Sequence, residues 1–347
     1  MKIYFFIIFL FILKKTIKGK IIKIPINYTE FNHPIINLCL GTPKQCLPFK
    51  ISLNTNFSYV IDYNIFGIGF EKEKSETYIH SGSIIQLKDK KYNLEGYESF
   101  DILQIENNEL KKGYFKFFII NKGFKYTNYC GVIGFKNSSY NSFVNFIKLY
   151  GNLNEKYALE IKTYNKGKNG LITFGKNNFN DYNKITKINE NNPFEINLNE
   201  IILFNNLNDY STIINLNEKV MISPEHNKIF CPENFLIFLV RNFFTKFNKS
   251  GVNACSVKEE KGVYKYLLCN SFLLNESSMY IYFIFGKWNI KFSFNVLFKK
   301  INEKTLIFNI MTIINENKWI FGNLFFRYYD MVYDISSSTL RFKMNKN

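Results

Sequence analysis

The stretch Trp319-Ile320-Phe321-Gly322 lies near the end of the chain and continues into Asn323-Leu324-Phe325-Phe326-Arg327-Tyr328-Tyr329-Asp330-Met331-Val332-Tyr333-Asp334. Apolar residues followed by glycine are typical of a buried strand that another backbone segment passes closely, because glycine has no Cβ. The first half of the chain contains a similar stretch, Cys130-Gly131-Val132-Ile133-Gly134-Phe135. The two stretches indicate that the chain is internally duplicated.

A second pair of similar segments supports the duplication. The first half contains Ile51-Ser52-Leu53-Asn54-Thr55-Asn56-Phe57-Ser58, and the second half contains Thr212-Ile213-Ile214-Asn215-Leu216-Asn217-Glu218-Lys219. Each segment is an apolar strand that ends in a polar turn, and each precedes one of the glycine stretches. We therefore expect two related halves.

Most of the remaining sequence predicts strands, because short runs of β-branched and aromatic residues alternate with clusters of Asn, Gly and Lys. Two segments predict helices: residues 143–149 after Ser142, and Glu233 to Phe247 after Pro232. In the second helix, the apolar residues at 235, 236, 239, 243 and 247 are expected to face the core. The predicted strands are Phe49–Leu53, Phe115–Ile120, Tyr157–Ile161, Leu171–Phe174, Met279–Phe285 and Leu306–Ile314.

Taken together, these segments resemble the pepsin-like aspartic proteases over nearly the whole chain after its N-terminal segment. Ile36-Asn37-Leu38-Cys39-Leu40-Gly41-Thr42-Pro43-Lys44-Gln45 is similar to the family's I-x-I-G-T-P-x-Q hairpin. Gly131-Val132-Ile133-Gly134 is similar to its G-I-L-G turn, and Gly170-Leu171-Ile172-Thr173-Phe174-Gly175 to a G-x-L-x-F-G strand end. The stretch from Trp319 to Asp334 carries the most specific likeness, to a W-I-L-G-D-x-F-L-R-x-Y-Y-x-V-F-D signature.

The resemblance implies an all-β, bilobal fold with two β lobes related by a pseudo-twofold axis and a few short helices. Each lobe of such a protein contributes one D-T-G loop to a cleft that binds an extended peptide. The Asn- and Lys-rich stretch from Lys176 to Asn199 is the natural boundary between lobes. We expect a signal peptide at residues 1–19, an N-terminal lobe at 20–190 and a C-terminal lobe at 191–347.

The same resemblance assigns the catalytic aspartate positions to Asn54 and Asn215. Peptide hydrolysis by this family uses two carboxylates that share one proton, one acting as base on water and the other as hydrogen-bond donor. A carboxamide cannot take a proton from water at physiological pH. The sequence therefore predicts a catalytically inactive protein that binds a polypeptide, with an active endopeptidase using displaced carboxylates as the alternative. The candidates for such carboxylates are Asp62, Asp101, Glu218 and Asp334.

The other expected cleft residues also depart from the family pattern. The first loop would supply Thr55, Asn56 and Ser58, and the second would supply Leu216, Asn217 and Glu218. Asn56 and Asn217 stand where the family has glycine, and asparagine tolerates positive φ better than most residues.

The flap expected over the cleft is altered too. The family's covering tyrosine falls at Asp89, and Tyr92 is displaced by three positions. Lys88, Asp89, Lys90 and Lys91 make this tip charged, which is typical of a solvated turn.

The N-terminus and the cysteines indicate the compartment. The apolar run from Ile3 to Leu13 has the length of a signal-peptide core, although a buried strand or a short anchor would fit as well. No later segment is long and apolar enough to cross a membrane. In the secretory pathway the six cysteines can form disulfides. Cys39 and Cys46 flank a tight turn, Cys255 and Cys269 flank a charged loop, and Cys130 and Cys231 could pair or remain free thiols.

Composition excludes several other classes of protein. The net charge of +17 comes almost entirely from lysine, and arginine, which reads bases bidentately, occurs only three times. We therefore expect no nucleic-acid partner, although docking on anionic membranes or glycans remains an alternative that high salt would abolish. Three histidines and no HExxH or paired CxxC motif predict no metal site and no cofactor. We expect a secreted or lumenal monomer.

Overall fold

The computed structural model describes residues 21–29, 33–88, 93–105, 112–124, 128–136, 143–151, 153, 158–164, 168–175, 179, 181–187, 192–205, 210–249, 251–275, 279–334 and 337–345. The expected signal peptide, the flap-tip residues Asp89 and Tyr92, and Ser142 lie outside these ranges. Within them the protein is mostly β, in two large sheets with few short helices. The all-β class predicted from the sequence is confirmed.

The first sheet has 13 strands in the order β11-β23-β22-β9-β10-β1-β2-β3-β8-β4-β7-β6-β5, and β2 also pairs with β6. Its strands are β1 (Ile22–Tyr28), β2 (Pro34–Leu40), β3 (Gln45–Ser52), β4 (Tyr59–Ile61), β5 (Ile79–Lys88), β6 (Asn93–Ile105), β7 (Gly113–Lys122), β8 (Gly131–Gly134), β9 (Ala158–Tyr164), β10 (Asn169–Gly175), β11 (Asn183–Lys187), β22 (Tyr329–Asp334) and β23 (Thr339–Met344).

The second sheet has 10 strands, nine of them in the order β15-β16-β20-β14-β21-β13-β12-β17-β18, and β19 pairs with β20. Its strands are β12 (Glu195–Asn205), β13 (Tyr210–Ile222), β14 (Ile229–Phe230), β15 (Cys255–Glu260), β16 (Tyr264–Asn270), β17 (Met279–Phe285), β18 (Trp288–Ser293), β19 (Phe298–Lys300), β20 (Thr305–Ile313) and β21 (Trp319–Phe321).

The passage from the first sheet to the second falls between β11 and β12. The last two strands then return to the first sheet, because β22 pairs with β9 and β23 pairs with β11. Strands β22 and β23 thus belong to the first sheet, and no single cut in the described part of the chain separates the two sheets.

The helices are short, and the longest follows the predicted boundaries closely at Phe143–Tyr150. The predicted helix from Glu233 to Phe247 is divided into an α-helix, a π-helix at Leu239–Phe243 and a 3₁₀ turn at Phe244–Phe247. A four-residue apolar repeat drifts around a 3.6-residue helix, and the wider π turn offsets this drift. The five residues of this segment that are expected to face the core, at 235, 236, 239, 243 and 247, are accordingly all buried. The α-helices are α1 (Tyr63–Phe66), α2 (Phe143–Tyr150), α3 (Glu233–Phe238), α4 (Phe294–Leu297) and α5 (Asn323–Phe326).

One continuous apolar core contains side chains from both sheets and is rich in phenylalanine. Trp319 is 1% exposed, and its ring lies edge-on to Phe235 and Phe283 at centroid distances of 4.8 and 5.6 Å. Burial of such large aromatic surfaces stabilises a fold strongly. The signature stretch that begins at Trp319 is therefore at the centre of the second sheet's packing.

Two disulfides close hairpins at the positions that the sequence suggests. Cys39 is bonded to Cys46 between β2 and β3, and Cys255 to Cys269 between β15 and β16. Cys130 and Cys231 are free thiols, one half-buried and one buried. Among the described residues, no helix combines the length and the apolar character that a membrane span requires.

Candidate functional site

Two strand ends, one from each sheet, meet in the interior of the protein. Strand β3 pairs in parallel with β8, so that Ser52 lies opposite Gly134. Strand β13 pairs in parallel with β21, so that Ile222 lies opposite Phe321, directly before Gly322. Each long strand therefore ends beside one of the two glycine stretches that the sequence identifies as duplicated.

The glycines explain how each turn packs against its neighbour. A Cβ at Gly134 would collide with the carbonyl oxygens of Thr55 and Phe57. A Cβ at Gly322 would collide with those of His226 and Lys228. The two turns thus pass over their glycines in the same way.

This correspondence establishes which residues of the two turns are equivalent. His226 follows Thr55 in the chain by the same number of residues as Lys228 follows Phe57. Applying this same separation makes Ser223 the equivalent of Ser52, and Glu225 the equivalent of Asn54. We call the region where residues 52–58 meet residues 222–228 the turn junction.

Equivalent residues of the two turns make reciprocal contacts across the turn junction. The side-chain Nδ2 of Asn54 donates to the backbone oxygen of Ile222 at 3.1 Å. In the other direction, the hydroxyl of Ser52 donates to Oε1 of Glu225. Asn54 of the first turn and Glu225 of the second thus each contact the end of the strand that precedes the opposite turn. These two hydrogen bonds join the two sheets.

Hydroxyl groups complete the local network. Ser52 and Thr55 share a hydrogen bond of 2.5 Å between their hydroxyl oxygens. A serine has one hydroxyl proton, so the bond from Ser52 to Glu225 requires Thr55 to be the donor to Ser52. In the second turn, Oγ of Ser223 and Nδ1 of His226 share a hydrogen bond of 3.1 Å. Ser52 and Ser223 are each 1% exposed, so both hydroxyls lie in the interior.

Lys228 is the charged residue at the end of the second turn. Burial lowers its pKa to about 8, and the nearby positive charges of Lys299 and Arg327 add to the effect. Its ammonium group donates to Oδ1 of Asn309 on β20. The ammonium group of Lys228 is therefore a partly desolvated cation whose hydrogen-bond acceptor is an amide oxygen.

The assignment of Asn215 to this site is not supported by the geometry. Asn215 lies within strand β13, opposite Glu200 of β12, and its side chain is exposed. It precedes Ile222 by seven residues of continuous strand, which places the two roughly 20 Å apart at about 3.3 Å per residue. The structure therefore brings Asn54 to residues 222–225 and not to Asn215.

The other predicted cleft residues divide in the same way. Thr55 and Ser58 belong to the turn junction, and Ser58 Oγ accepts from the backbone nitrogen of Gly134 at 3.1 Å. Asn56 is the exposed member of the same turn. The residues expected from the second loop lie along β13 instead, where Leu216 and Glu218 line a separate pocket and Asn217 is exposed.

Three of the displaced carboxylates considered from the sequence have partners outside the turn junction. Asp62 pairs with Lys72 at 2.9 Å, and Asp334 lies 3.5 Å from Arg341. Asp101 accepts from the hydroxyls of Ser75 and Thr77 at 2.7 and 2.6 Å. These contacts indicate structural roles, as expected for buried or half-buried carboxylates.

The residues that sequence reasoning missed are Ser52, Ser223, Glu225 and His226. A signal for the second turn is present, because Val220-Met221-Ile222 is an apolar strand end followed directly by Ser223-Pro224. Proline at this position prevents the strand from continuing. The described residues contain no group of three or more His, Cys, Asp or Glu side chains placed to hold a metal ion.

No protein-family model matches this chain, and no curated protein matches it.

Proposed function

We propose that this chain is a catalytically inactive, pepsin-like protein whose two β lobes form a cleft that binds a polypeptide. The proposal rests on the order of the sequence motifs together with the duplicated turns at the turn junction. In a pepsin-like fold the D-T-G loops begin where two apolar strands end. The equivalent strand ends in this chain carry Ser52 and Ser223.

The observation that carries the proposal is the contact between Ser52 and Glu225. Hydrolysis by this architecture needs two carboxylates close enough to share a proton. Among the described residues of the turn junction, Glu225 contributes the single carboxylate; it accepts from the hydroxyl of Ser52, and the equivalent position of the first turn carries the amide of Asn54. A hydroxyl group does not ionise at physiological pH, so it cannot replace the second acid.

Polypeptide binding does not depend on the missing carboxylate. Strand edges can hold an extended peptide through backbone hydrogen bonds alone. Two disulfides and the lack of a membrane-spanning helix among the described residues are compatible with a secreted or lumenal protein, where unfolded or extended polypeptides occur.

The second candidate is an active endopeptidase that uses Glu225. This candidate is favoured by one observation, namely that a carboxylate does enter the turn junction. It would require a second acid to polarise the substrate carbonyl, and the second turn offers the titratable side chain of His226, which is bonded to Ser223.

A binding experiment tests the proposal directly. Fluorescein-labelled denatured casein is titrated with the protein while anisotropy is followed, and the casein is then examined by electrophoresis. We expect saturable binding and intact casein. Asn56→Trp, which adds bulk to the exposed part of the first turn, should weaken binding at least fivefold, whereas Asn217→Trp on the outer face of β13 should not. Absence of saturable binding, or equal effects of the two variants, would contradict a cleft at the turn junction.

A further inference from the structure

A pocket of about 230 Å³ lies beside β13, on the part of the strand that precedes the turn junction. Ile214, Leu216 and Glu218 form one wall, since alternate residues of a strand share a face. Phe235 and Phe238 of α3 line it as well, together with Trp319. The volume is below the roughly 300–1,000 Å³ of pockets for drug-sized ligands, so it fits a single long side chain.

The pocket is mostly apolar, and its polar side chains are those of Glu218 and Asn234. Oε2 of Glu218 accepts from Nε1 of Trp319 at 2.7 Å, which orients the group. No lysine or arginine within the described ranges forms a salt bridge with Glu218, although the neighbouring Lys219 pairs with Glu195 at 2.7 Å. Although the chain has a net charge of +17, no cationic partner of this carboxylate occurs among the described residues.

Aromatic rings next to a carboxylate favour one ligand chemistry. The faces of tryptophan and phenylalanine attract ammonium and guanidinium groups, and a partly desolvated carboxylate binds them by a charge-assisted hydrogen bond. The aliphatic stem of lysine or arginine would pack on Ile214 and Leu216. The pocket is therefore complementary to a long basic side chain.

The strand beside the pocket has an edge that can hold the backbone of a peptide. Residues 210–219 of β13 pair with β12 on one side, whereas β21 pairs only with residues 220–222 on the other. In the described part of the chain no strand covers the second edge of residues 210–219. An extended peptide added at this edge would point alternate side chains toward the pocket wall.

We infer that the pocket between β13 and α3 binds the lysine or arginine side chain of an extended polypeptide that pairs with the open edge of β13. Glu218 recognises the charge, and the half-buried ring of Phe238 lies against the bound side chain, while Trp319 reports the binding through its hydrogen bond to Glu218. This site is separate from the turn junction, so the inference does not depend on the proposed function.

The two tryptophans of the chain make the site observable. Trp288 is exposed on β18, so the Trp288→Phe variant leaves Trp319 as the sole tryptophan. In this background the protein is titrated with acetyl-Thr-Val-Lys-Val-Thr-amide while tryptophan fluorescence is recorded. The matched peptide contains norleucine in place of lysine, and n-butylammonium chloride serves as a cation without a peptide backbone.

We expect a saturable change in Trp319 fluorescence, with the lysine peptide binding at least tenfold more tightly than the norleucine peptide and than n-butylammonium. Glu218→Gln should remove the preference for lysine, because glutamine keeps an oxygen for Trp319 but carries no charge. Glu200→Gln, at a half-buried position of β12 outside the pocket lining, is the control and should retain the preference.

Three results would overturn the inference. Equal affinity for the two peptides, or a lysine preference that survives Glu218→Gln, would show that Glu218 does not recognise a cation. Binding of n-butylammonium as tight as that of the lysine peptide would exclude pairing at the strand edge. An unchanged Trp319 signal up to millimolar peptide would exclude the site altogether.

Discussion

The side-chain amide of Asn54 donates a hydrogen bond to the backbone oxygen of Ile222, 3.1 Å away, and so joins the turn that follows β3 to the end of β13. Strand β3 belongs to the first sheet and β13 to the second, so the bond links the two sheets. Its duplicate-related counterpart is the contact between Ser52 and Glu225.

The first prediction concerns this bond. Asn54→Ala should lower the free energy of unfolding by about 1–2 kcal/mol, because the carbonyl group of Ile222 loses its side-chain donor in a largely buried place. Chemical denaturation measures the change. Asn227→Ala, at an exposed position of the second turn, is the control and should change stability by less than about 0.5 kcal/mol. Equal effects of the two variants would contradict the role given to Asn54.

The second prediction concerns the two glycines beneath the turns. Gly134→Ala and Gly322→Ala should each cost at least about 2–3 kcal/mol, because the added Cβ meets backbone oxygens that cannot move independently. Gly251→Ala is the control. It has φ of +79° but open space around it, so only the left-handed backbone penalty of about 1 kcal/mol applies. Thermal unfolding of the three variants would contradict the packing account if Gly251→Ala proved as costly as the others.

The third prediction concerns the ionisation of Lys228. Its pKa is about 8 in the folded protein against an ordinary 10.5, so the unfolded chain binds more protons between these values. The free energy of unfolding should therefore rise between pH 8 and 10.5 by an amount on the order of 1–2 kcal/mol from this group, allowing for solvent screening.

Comparison with a variant isolates the contribution of Lys228 from other groups that titrate in the same range. Lys228→Met should lack this part of the rise, and Lys300→Met, at an exposed position of β19, should keep it. Denaturation curves at half-unit pH intervals provide the measurement. Parallel stability profiles for the wild type and Lys228→Met would show that Lys228 is not desolvated.

The fourth prediction concerns the cysteines. Denatured protein without reductant should contain two reactive thiols, and reduction should raise the number to six. In the native protein Cys130 should react first, since it is half-buried, whereas burial raises the pKa of the Cys231 thiol far above its usual range and shields it. Thiol titration with mass mapping checks both statements. Finding no free thiol in the denatured protein would mean that Cys130 and Cys231 are paired.

Much of the fold could be predicted because its strands carry strong local signals. Met279–Phe285 alternates buried and half-buried residues, and the predicted bounds coincide with those observed. The sequence also predicts close backbone approach at Gly134 and Gly322, and the structure confirms it. In both cases a local pattern and a tertiary requirement specify the same residues.

The sequence prediction for the second turn is wrong, because Asn215-Leu216-Asn217 resembles the polar end of a strand. In the structure these residues continue the strand, with Asn215 and Asn217 exposed and Leu216 half-buried, which is the alternation of a strand with one solvated face. The true end, at Ile222, is set by pairing with Trp319–Phe321, far away in the sequence. A contact of that kind leaves no local trace except the Ser223-Pro224 break.

The central claim is that the turn junction lacks the second carboxylate that peptide hydrolysis by a pepsin-like architecture would need. The most direct test is digestion of denatured globin between pH 3 and 7, with and without a statine-type inhibitor, by the wild type and by Glu225→Gln. The account predicts no inhibitor-sensitive cleavage by either protein at any pH. Cleavage by the wild type that the inhibitor blocks and that Glu225→Gln abolishes would contradict it.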